Sequence, residues 1–547
     1  MRADEQAGAA LAAEGMTHVF GVVGSGNFHL TNALTANGAR FVAARHEGGA
    51  ATMADACARV GGGVVGLSVH QGCGLTNALT GITEAAKSRT PLVVLAPQST
   101  SPESNFRIDQ PAVARGLGCL VEDVSATDTL LPSAVRAYRR ARDERRTVVL
   151  NMSLEAMSAP ASPAAQTVLP AVRIPTATRP AADAAERLAG LISSAERPVF
   201  IAGRGARSGA AGRELRQLAE TAGALLCTTA VARGLFRGDP FDLDVAGGFA
   251  TPLAVELLSQ ADLVVGWGAS LNMWTTRHAG LISEKAHVAQ VDLDIEALGS
   301  RHRVDLGLVG DVAATALDVG RLLTASGTRR GYRTPEVRSR IAAEGRWSRV
   351  PFKDESTDDR IDPRTLTIAL DRMLPDVRTV TVDSGHFMGY PSMFLDVPDH
   401  TGFCFTQAFQ SIGLGLSTAI GAAVARPDRL TVLGAGDGGF LMSIAELETA
   451  VRLRLPLLAI VYNDNAYGAE THHFGPAGAD LDLVRFPPTD IASIAKGFGC
   501  DALTVTRPGD LDGVADWVAD RPNRPLVIDA KITDTPRAWW HGHAFGH

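Results

Sequence analysis

Short β-branched runs alternate with alanine- and leucine-rich helical stretches along the whole chain. "VFGVV", "RFVAA", "GVVGLSV" and "PLVVLAP" stand near the start. "PVFIAG", "DLVVGWG" and "HVAQVDLD" occupy the middle, and "TVTVDSG", "RLTVLGAGD" and "LLAIVYND" come late. Near-continuous apolar strands between helices predict parallel sheets covered on both faces, so the predicted class is α/β with doubly wound sheets. Two stretches break the pattern. Ser158–Ala184 holds five prolines, and Thr324–Arg340 is polar and interrupted by glycine and proline. They divide the chain into predicted domains over 1–160, 180–325 and 355–535, followed by a tail over 536–547.

Composition narrows the function classes. The 547 residues are 46% hydrophobic and carry a net charge of −7, without a basic tract. Sizeable cores are expected and a nucleic-acid partner is not. Asp4 and Glu5 interrupt the first residues, so no secretory signal is expected there. No run is apolar for long enough to suggest a membrane span. The six cysteines are isolated, with no C-x-x-C pair, which points to free thiols in a reducing cytoplasm and away from zinc.

One loop turns architecture into chemistry. "GAGDGGFLMS" (Gly434 to Ser443) follows the strand-like "RLTVL" and precedes "IAELETAVRL". Ser443 and Glu446 have capping-box spacing, and Ile444, Leu447 and Val451 mark one apolar helix face. Gly434, Gly436 and Gly439 spell the G-x-G-x-x-G dinucleotide fingerprint, yet Asp437 would face a pyrophosphate with like charge. A divalent cation between carboxylate and phosphate removes the repulsion, and Mg²⁺ takes hard oxygen ligands. A second ligand is expected one strand later, where "LLAIVYND" runs into Asn463–Asp464–Asn465. Twenty-four residues separate Gly438 from Asn463. That is one helix and one strand, so both turns open at the carboxyl edge of a sheet, where open α/β folds bind ligands.

This pair resembles the signature of thiamine-diphosphate enzymes, G-D-G followed one helix and one strand later by N-N. The resemblance implies thiamine diphosphate and Mg²⁺ as cofactors. Asp437 and Asp464 would give side-chain oxygens and Ala466 its carbonyl to the metal. Gly436, Gly438 and Gly439 would cradle the diphosphate, with Tyr467 and Gly468 following the metal turn. Asp464 departs from the family's asparagine. The extra negative charge is expected to alter metal affinity or its pH dependence.

The resemblance reaches nearly the whole chain. "FVAARHEGGAATMADACARV" resembles the pyrimidine-binding domain of the family. It implies that Glu47 bonds ring atom N1′ of the cofactor, from an apolar pocket that raises its pKa. Taken alone, Glu47 is equally an ordinary acid in a first helical turn, favoured by the macrodipole. "VDSGHFMGY" implies diphosphate contacts from Gly385 and His386. "QSIGLGLSTAIGAAVA" implies that Ile412 wedges between the cofactor's two rings, with Gln410 where the family has glycine. Family members build the site from two subunits, so a homodimer or homotetramer is expected.

Candidates for substrate handling are Ser25 in "VVGSGNF", His70 and Gln71 in "VHQGCG", and His472 and His473 after the metal turn. Imidazoles titrate near neutrality and suit proton transfer, although each is also readable as a structural or surface group. Ser25 and His70 resemble positions of the benzoylformate decarboxylase branch. Acetolactate-synthase-like members have Gly-Pro-Gly where this chain has Gly72–Cys73–Gly74. The middle segment, with Gly203, Gly205 and Gly209, looks Rossmann-like, but "ALLCTT" ends without a ribose-binding acid, so NAD is not expected. Some family members carry FAD or another nucleotide there; packing alone also explains the glycines. The expected activity is decarboxylation of a 2-oxo acid with carboligation to a carbonyl acceptor. Simple decarboxylation or 2-hydroxy ketone cleavage is the alternative. A nucleotide-dependent oxidoreductase or a catalytically silent regulatory subunit stands behind both.

Overall fold

A computed structural model describes residues 1–161, 177–324, 331–520 and 523–534. The tail over 536–547 lies outside the described residues, as does most of the proline-rich Ser158–Ala184 stretch. Three six-stranded sheets are present, and every strand pairing within them is parallel. The α/β class with doubly wound sheets is therefore correct.

The first sheet holds β1 (His18–Gly21), β2 (Arg40–Ala43), β3 (Val65–Ser68), β4 (Leu92–Gln98), β5 (Leu120–Val124) and β6 (Thr147–Ser153). The second holds β7 (Pro198–Ala202), β8 (Leu225–Thr228), β9 (Asp242–Val245), β10 (Leu263–Trp267), β11 (His287–Asp292) and β12 (Leu306–Val309). The third holds β13 (Arg378–Val382), β14 (Phe403–Phe405), β15 (Leu430–Gly436), β16 (Leu457–Asn463), β17 (Asp501–Val505) and β18 (Leu526–Lys531).

The strand orders are β2-β1-β3-β4-β6-β5, β12-β11-β10-β7-β8-β9 and β14-β13-β15-β16-β18-β17. The first and third sheets share one permutation. In each, the winding direction reverses beside the first strand, which opens a crevice at the carboxyl ends. β1 and β3 flank that crevice in the first sheet, and β13 and β15 flank it in the third. The second sheet has the dinucleotide-fold order read from its far edge.

A helix pair joins the first and third sheets. Glu47–Gly61 packs on Gly415–Ala425 through a shared core that includes Ala50, Ala51, Ala54, Ala58, Leu416, Ala419 and Ala423. The small residues let the two backbones approach closely. A Cβ on Gly421 would overlap the carbonyl of Met53.

Buried charge reinforces the junction. Arg59 donates to Asp55, Glu84 and the Phe405 carbonyl. Glu84 also accepts the N–H groups of Ala408 (3.2 Å) and Phe409 (2.7 Å), anchoring the loop that leads to Gln410.

Two local expectations change. Ser443 and Glu446 do not form a capping box. The chain breaks between the helices Asp437–Met442 and Glu446–Arg452, and the Glu446 carboxylate instead accepts the N–H groups of Arg45 and His46 in the first sheet's unit. Two main-chain donors across the junction outweigh one local cap. Within Thr324–Arg340, expected to be a linker, a helix begins at Pro335 and runs to Glu344, with Thr334 as its N-cap.

Candidate active site

The third sheet gathers the residues expected to hold metal and diphosphate. Gly436 ends β15 opposite Tyr462 of β16, so Asp437 and Asn463 emerge side by side. Asp437 is buried, and the Asp464 carboxyl lies close enough for the two to perturb each other's ionisation. Burial pushes the Asp437 carboxyl up to about 6. Asp464 is pushed up to about 8, first by burial and then by the Asp437 charge. Two adjoining carboxyls withdrawn from water share protons unless a cation lies between them. This donor pair suits Mg²⁺.

The surrounding backbone fits an anionic ligand. A Cβ on Gly438 would stand 2.6 Å from the Tyr467 ring, and one on Gly439 would stand 2.7 Å from Asp383 Oδ2. Only glycine leaves these N–H groups open to a large ligand. The Asp464 turn is rigid: Ala466 donates its N–H to Asp464 Oδ1 at 3.1 Å, and Asn465 donates to Asn463 Oδ1 at 3.2 Å. Gly468 lies directly against Asp464, with no space for a Cβ. Among the described residues no cluster of three or more His, Cys, Asp or Glu forms a metal site. A set of two carboxylates and one main-chain carbonyl needs no such cluster.

β13 contributes the opposite wall. Asp383, not singled out from the sequence, is fully buried there and accepts N–H bonds from Ser384 (2.8 Å), Gly413 (3.0 Å) and Leu414 (3.2 Å). It thereby fixes the Gly385 and Ile412 loops relative to each other. The signal was an acid at a strand end, inside the quoted "VDSG". Gly385 has φ +140°, a region that favours glycine. Gln410 has φ +62°, a left-handed backbone that glycine adopts more readily than glutamine.

His386 is buried and stacks on His472, with ring centroids 4.0 Å apart. His472 Nε2 lies 2.8 Å from Asp534 Oδ1, and that hydrogen bond holds the Asp534 carboxyl below its usual range. His473 packs edge-on against Phe474 instead. The structure thus joins His472 to the expected cofactor residues.

The first sheet gathers the remaining candidates. His70 Nδ1 accepts the Gly26 N–H at 3.3 Å, which leaves the proton on Nε2, and Phe106 stands edge-on to its ring. Gly24 and Gly26 have no room for a Cβ beside His70 and Gln71. Ser25, between them, is exposed. Among the described residues Gln71 Oε1 is buried without a hydrogen-bond partner. Gly74 brings the two halves of this group together, since its Cβ would lie 3.1 Å from His70 and 3.5 Å from Glu47 Oε1.

Glu47 differs from expectation in its surroundings. The carboxyl is half-buried and accepts a hydrogen bond from Asn77 Nδ2 at 3.1 Å. In the single chain it is not enclosed by apolar side chains, because it opens the first turn of its helix toward the exposed Asn77.

In the middle sheet, a Cβ on Gly203 would overlap the Gly268 carbonyl, and one on Gly205 would stand 2.7 Å from Gly268 Cα. Contact with the loop after β10 accounts for both glycines. Ser208 caps the helix that Gly209 begins.

Three family models match the chain. "Thiamine pyrophosphate enzyme, N-terminal TPP binding domain" covers residues 1–114, the central domain covers 185–319, and the C-terminal TPP binding domain covers 383–530. Sulfoacetaldehyde acetyltransferase from Castellaniella defragrans is 27% identical, over 96% of this chain and 90% of its own length. Acetolactate synthase from Bacillus subtilis is 27% identical, over 95% of this chain and 91% of its own. A probable 2-ketoarginine decarboxylase from Pseudomonas aeruginosa is 28% identical, over 92% and 88%. The fold superimposes on a thiamine diphosphate-dependent 4-hydroxybenzoylformate decarboxylase from Rhodococcus jostii. The TM-score is 0.82 at 21% identity, covering 98% of this chain and all of that one.

Proposed function

Because the chain belongs to the thiamine pyrophosphate enzymes, we propose that it decarboxylates a 2-oxo acid and joins the product fragment to a carbonyl acceptor. The observation that carries this reading is the Asp437–Asp464 pair, Asp437 buried and Asp464 half-buried, beside glycines that leave space open for a diphosphate. Relatives named as an acetolactate synthase and sulfoacetaldehyde acetyltransferases support group transfer over simple release.

The residue roles follow from chemistry. Asp437, Asp464 and the Ala466 carbonyl would hold Mg²⁺. The N–H groups of Gly438 and Gly439 would bind diphosphate oxygens, with Gly385 and His386 facing them from β13. Ile412 would set the angle between the cofactor's rings, and Glu47 would hold a proton at ring nitrogen N1′. When bound, thiamine diphosphate supplies a carbon nucleophile and an acceptor for the electron pair released when a bond to carbonyl carbon breaks. His70 has its Nε2 proton available for a substrate oxygen, and His472, held by Asp534, is a second proton carrier. Assembly as a homodimer or homotetramer, with Glu47 and Asp437 of different subunits meeting, is part of the same proposal.

A second reading, simple decarboxylation, has its own support. His70 seats against the Gly24–Ser25–Gly26 turn, as a serine–histidine pair acting on one substrate would require. A panel of 2-oxo acids, with and without aldehyde acceptors and analysed by mass spectrometry, distinguishes the two. Ligated products dependent on both Mg²⁺ and thiamine diphosphate are expected. Aldehydes alone, whatever the acceptor, would favour the second reading.

A further inference from the structure

We infer that Glu446 is the positioning residue for Glu47, holding the loop that presents it. The inference rests on the proposed role of Glu47 and goes one residue further back in the chain of causes. Glu446 is only 2% exposed. Its carboxylate accepts the Arg45 N–H at 3.1 and 3.2 Å, the His46 N–H at 3.0 Å and the Thr449 hydroxyl at 2.7 Å. Arg45 and His46 are the two residues before Glu47. Fixing their N–H groups fixes the backbone that aims the Glu47 side chain.

Neighbouring contacts reinforce the grip. Glu448 pairs with Arg45 at 2.5 Å, and Arg452 donates to the Ala43 carbonyl at 2.6 Å. One short helix, Glu446–Arg452, thus holds the whole turn between β2 and the Glu47 helix. Space has been left for it, because a Cβ on Gly49 would overlap Glu446 Oε1. A buried carboxylate is costly unless its oxygens are well satisfied. Here two of its donors are main-chain groups beside Glu47. A role in packing alone would not need them there. The same carboxylate stands nine positions after Asp437, so the metal turn and the Glu47 turn are joined through one short segment.

The test uses the full chain, with Glu47→Gln as reference. Glu446→Gln keeps one acceptor oxygen but removes the charge, so the charge-assisted bonds from the Arg45 and His46 N–H groups become weaker neutral ones. In the variant without added cofactor, amide hydrogen exchange across residues 44–47 is expected to quicken about tenfold. With Mg²⁺ and thiamine diphosphate, exchange of the bound cofactor's C2 hydrogen into D₂O is expected to slow about tenfold, with cofactor affinity nearly unchanged. Gly49→Ala is expected to act in the same direction, and the double variant to do no more than either single one. If Glu446→Gln fails to fold, Thr449→Val removes only the hydroxyl donor and is expected to slow C2 exchange a few-fold.

Parental C2 exchange in the Glu446→Gln and Gly49→Ala variants, where Glu47→Gln abolishes it, overturns the inference and leaves the proposed function standing. If Glu47→Gln also leaves C2 exchange unaltered, the proposed function fails.

Discussion

Replacing Asp464 with asparagine tests why this chain carries two carboxylates at the proposed metal turn. Asp464 is pushed up to about 8 by burial and by Asp437. Without a cation it therefore holds a proton at neutral pH, and metal binding must expel it. Below that value, apparent metal affinity falls about tenfold per pH unit, or about 1.4 kcal/mol, as one bound proton must be released. From pH 8 to pH 6 the proton costs roughly hundredfold, with Asp437, at about 6, adding to it only near the lower limit.

Asparagine has no proton to lose, but it removes one charge from the cation's shell, an intrinsic loss of roughly tenfold. Asp464→Asn is thus expected to bind Mg²⁺ more weakly at pH 8, about equally at pH 7 and more tightly at pH 6. The sign for folding runs the other way. A carboxyl raised in the folded state contributes stability at low pH and loses it as pH rises through its folded pKa. The metal-free parent should therefore gain more than the variant from Mg²⁺ at pH 8. Calorimetric titration of Mg²⁺ in buffers of different ionisation heat counts the protons. At pH 7, about one proton released by the parent and about none by the variant is expected. Equal proton release by both would refute the shared-proton picture of the pair.

Three further outcomes follow from specific contacts. Gly438→Ala puts a methyl 2.6 Å from Tyr467 in the proposed diphosphate cradle. Thiamine diphosphate affinity should fall at least about tenfold in a fluorescence titration, with little change in melting temperature. Gly421→Ala drives a methyl into the Met53 carbonyl between the two packed helices. About 1–3 kcal/mol of stability should be lost in urea unfolding, without selective loss of metal binding. His70→Gln keeps a polar group against Gly26 but removes the imidazole. kcat should fall about hundredfold, while cofactor affinity stays the same.

The architecture was legible because the central strands are long, apolar and flanked by amphipathic helices. β4, β10, β15 and β16 declare themselves in that way. Edge strands are weaker signals: β14 spans only Phe403–Phe405, and β9 carries Asp242 and Asp244. Asp437 and Asp464 were legible as a pair, since a fixed helix and strand separate them and topology brings both turns to one edge.

Glu446 was misread because local spacing suggested a cap, whereas its partners lie some 400 residues away in the sequence. Asp383 escaped notice for a related reason. Its partners at Gly413 and Leu414 converge only once the sheet reverses its winding between β13 and β15. Gln410 shows the opposite case. It looked like a departure from a glycine position, and its backbone is left-handed, a conformation glycine adopts readily.

The central claim is that Glu47 and the Asp437–Asp464 pair serve one thiamine diphosphate reaction on a 2-oxo acid. The most direct measurement is CO₂ release from a panel of carboxyl-labelled 2-oxo acids, by parent and Glu47→Gln protein, each loaded with Mg²⁺ and thiamine diphosphate. Release from at least one acid by the parent, with none from the variant despite retained cofactor, is the expected result. Equal release by both proteins, or none by the parent from any acid, would contradict the account.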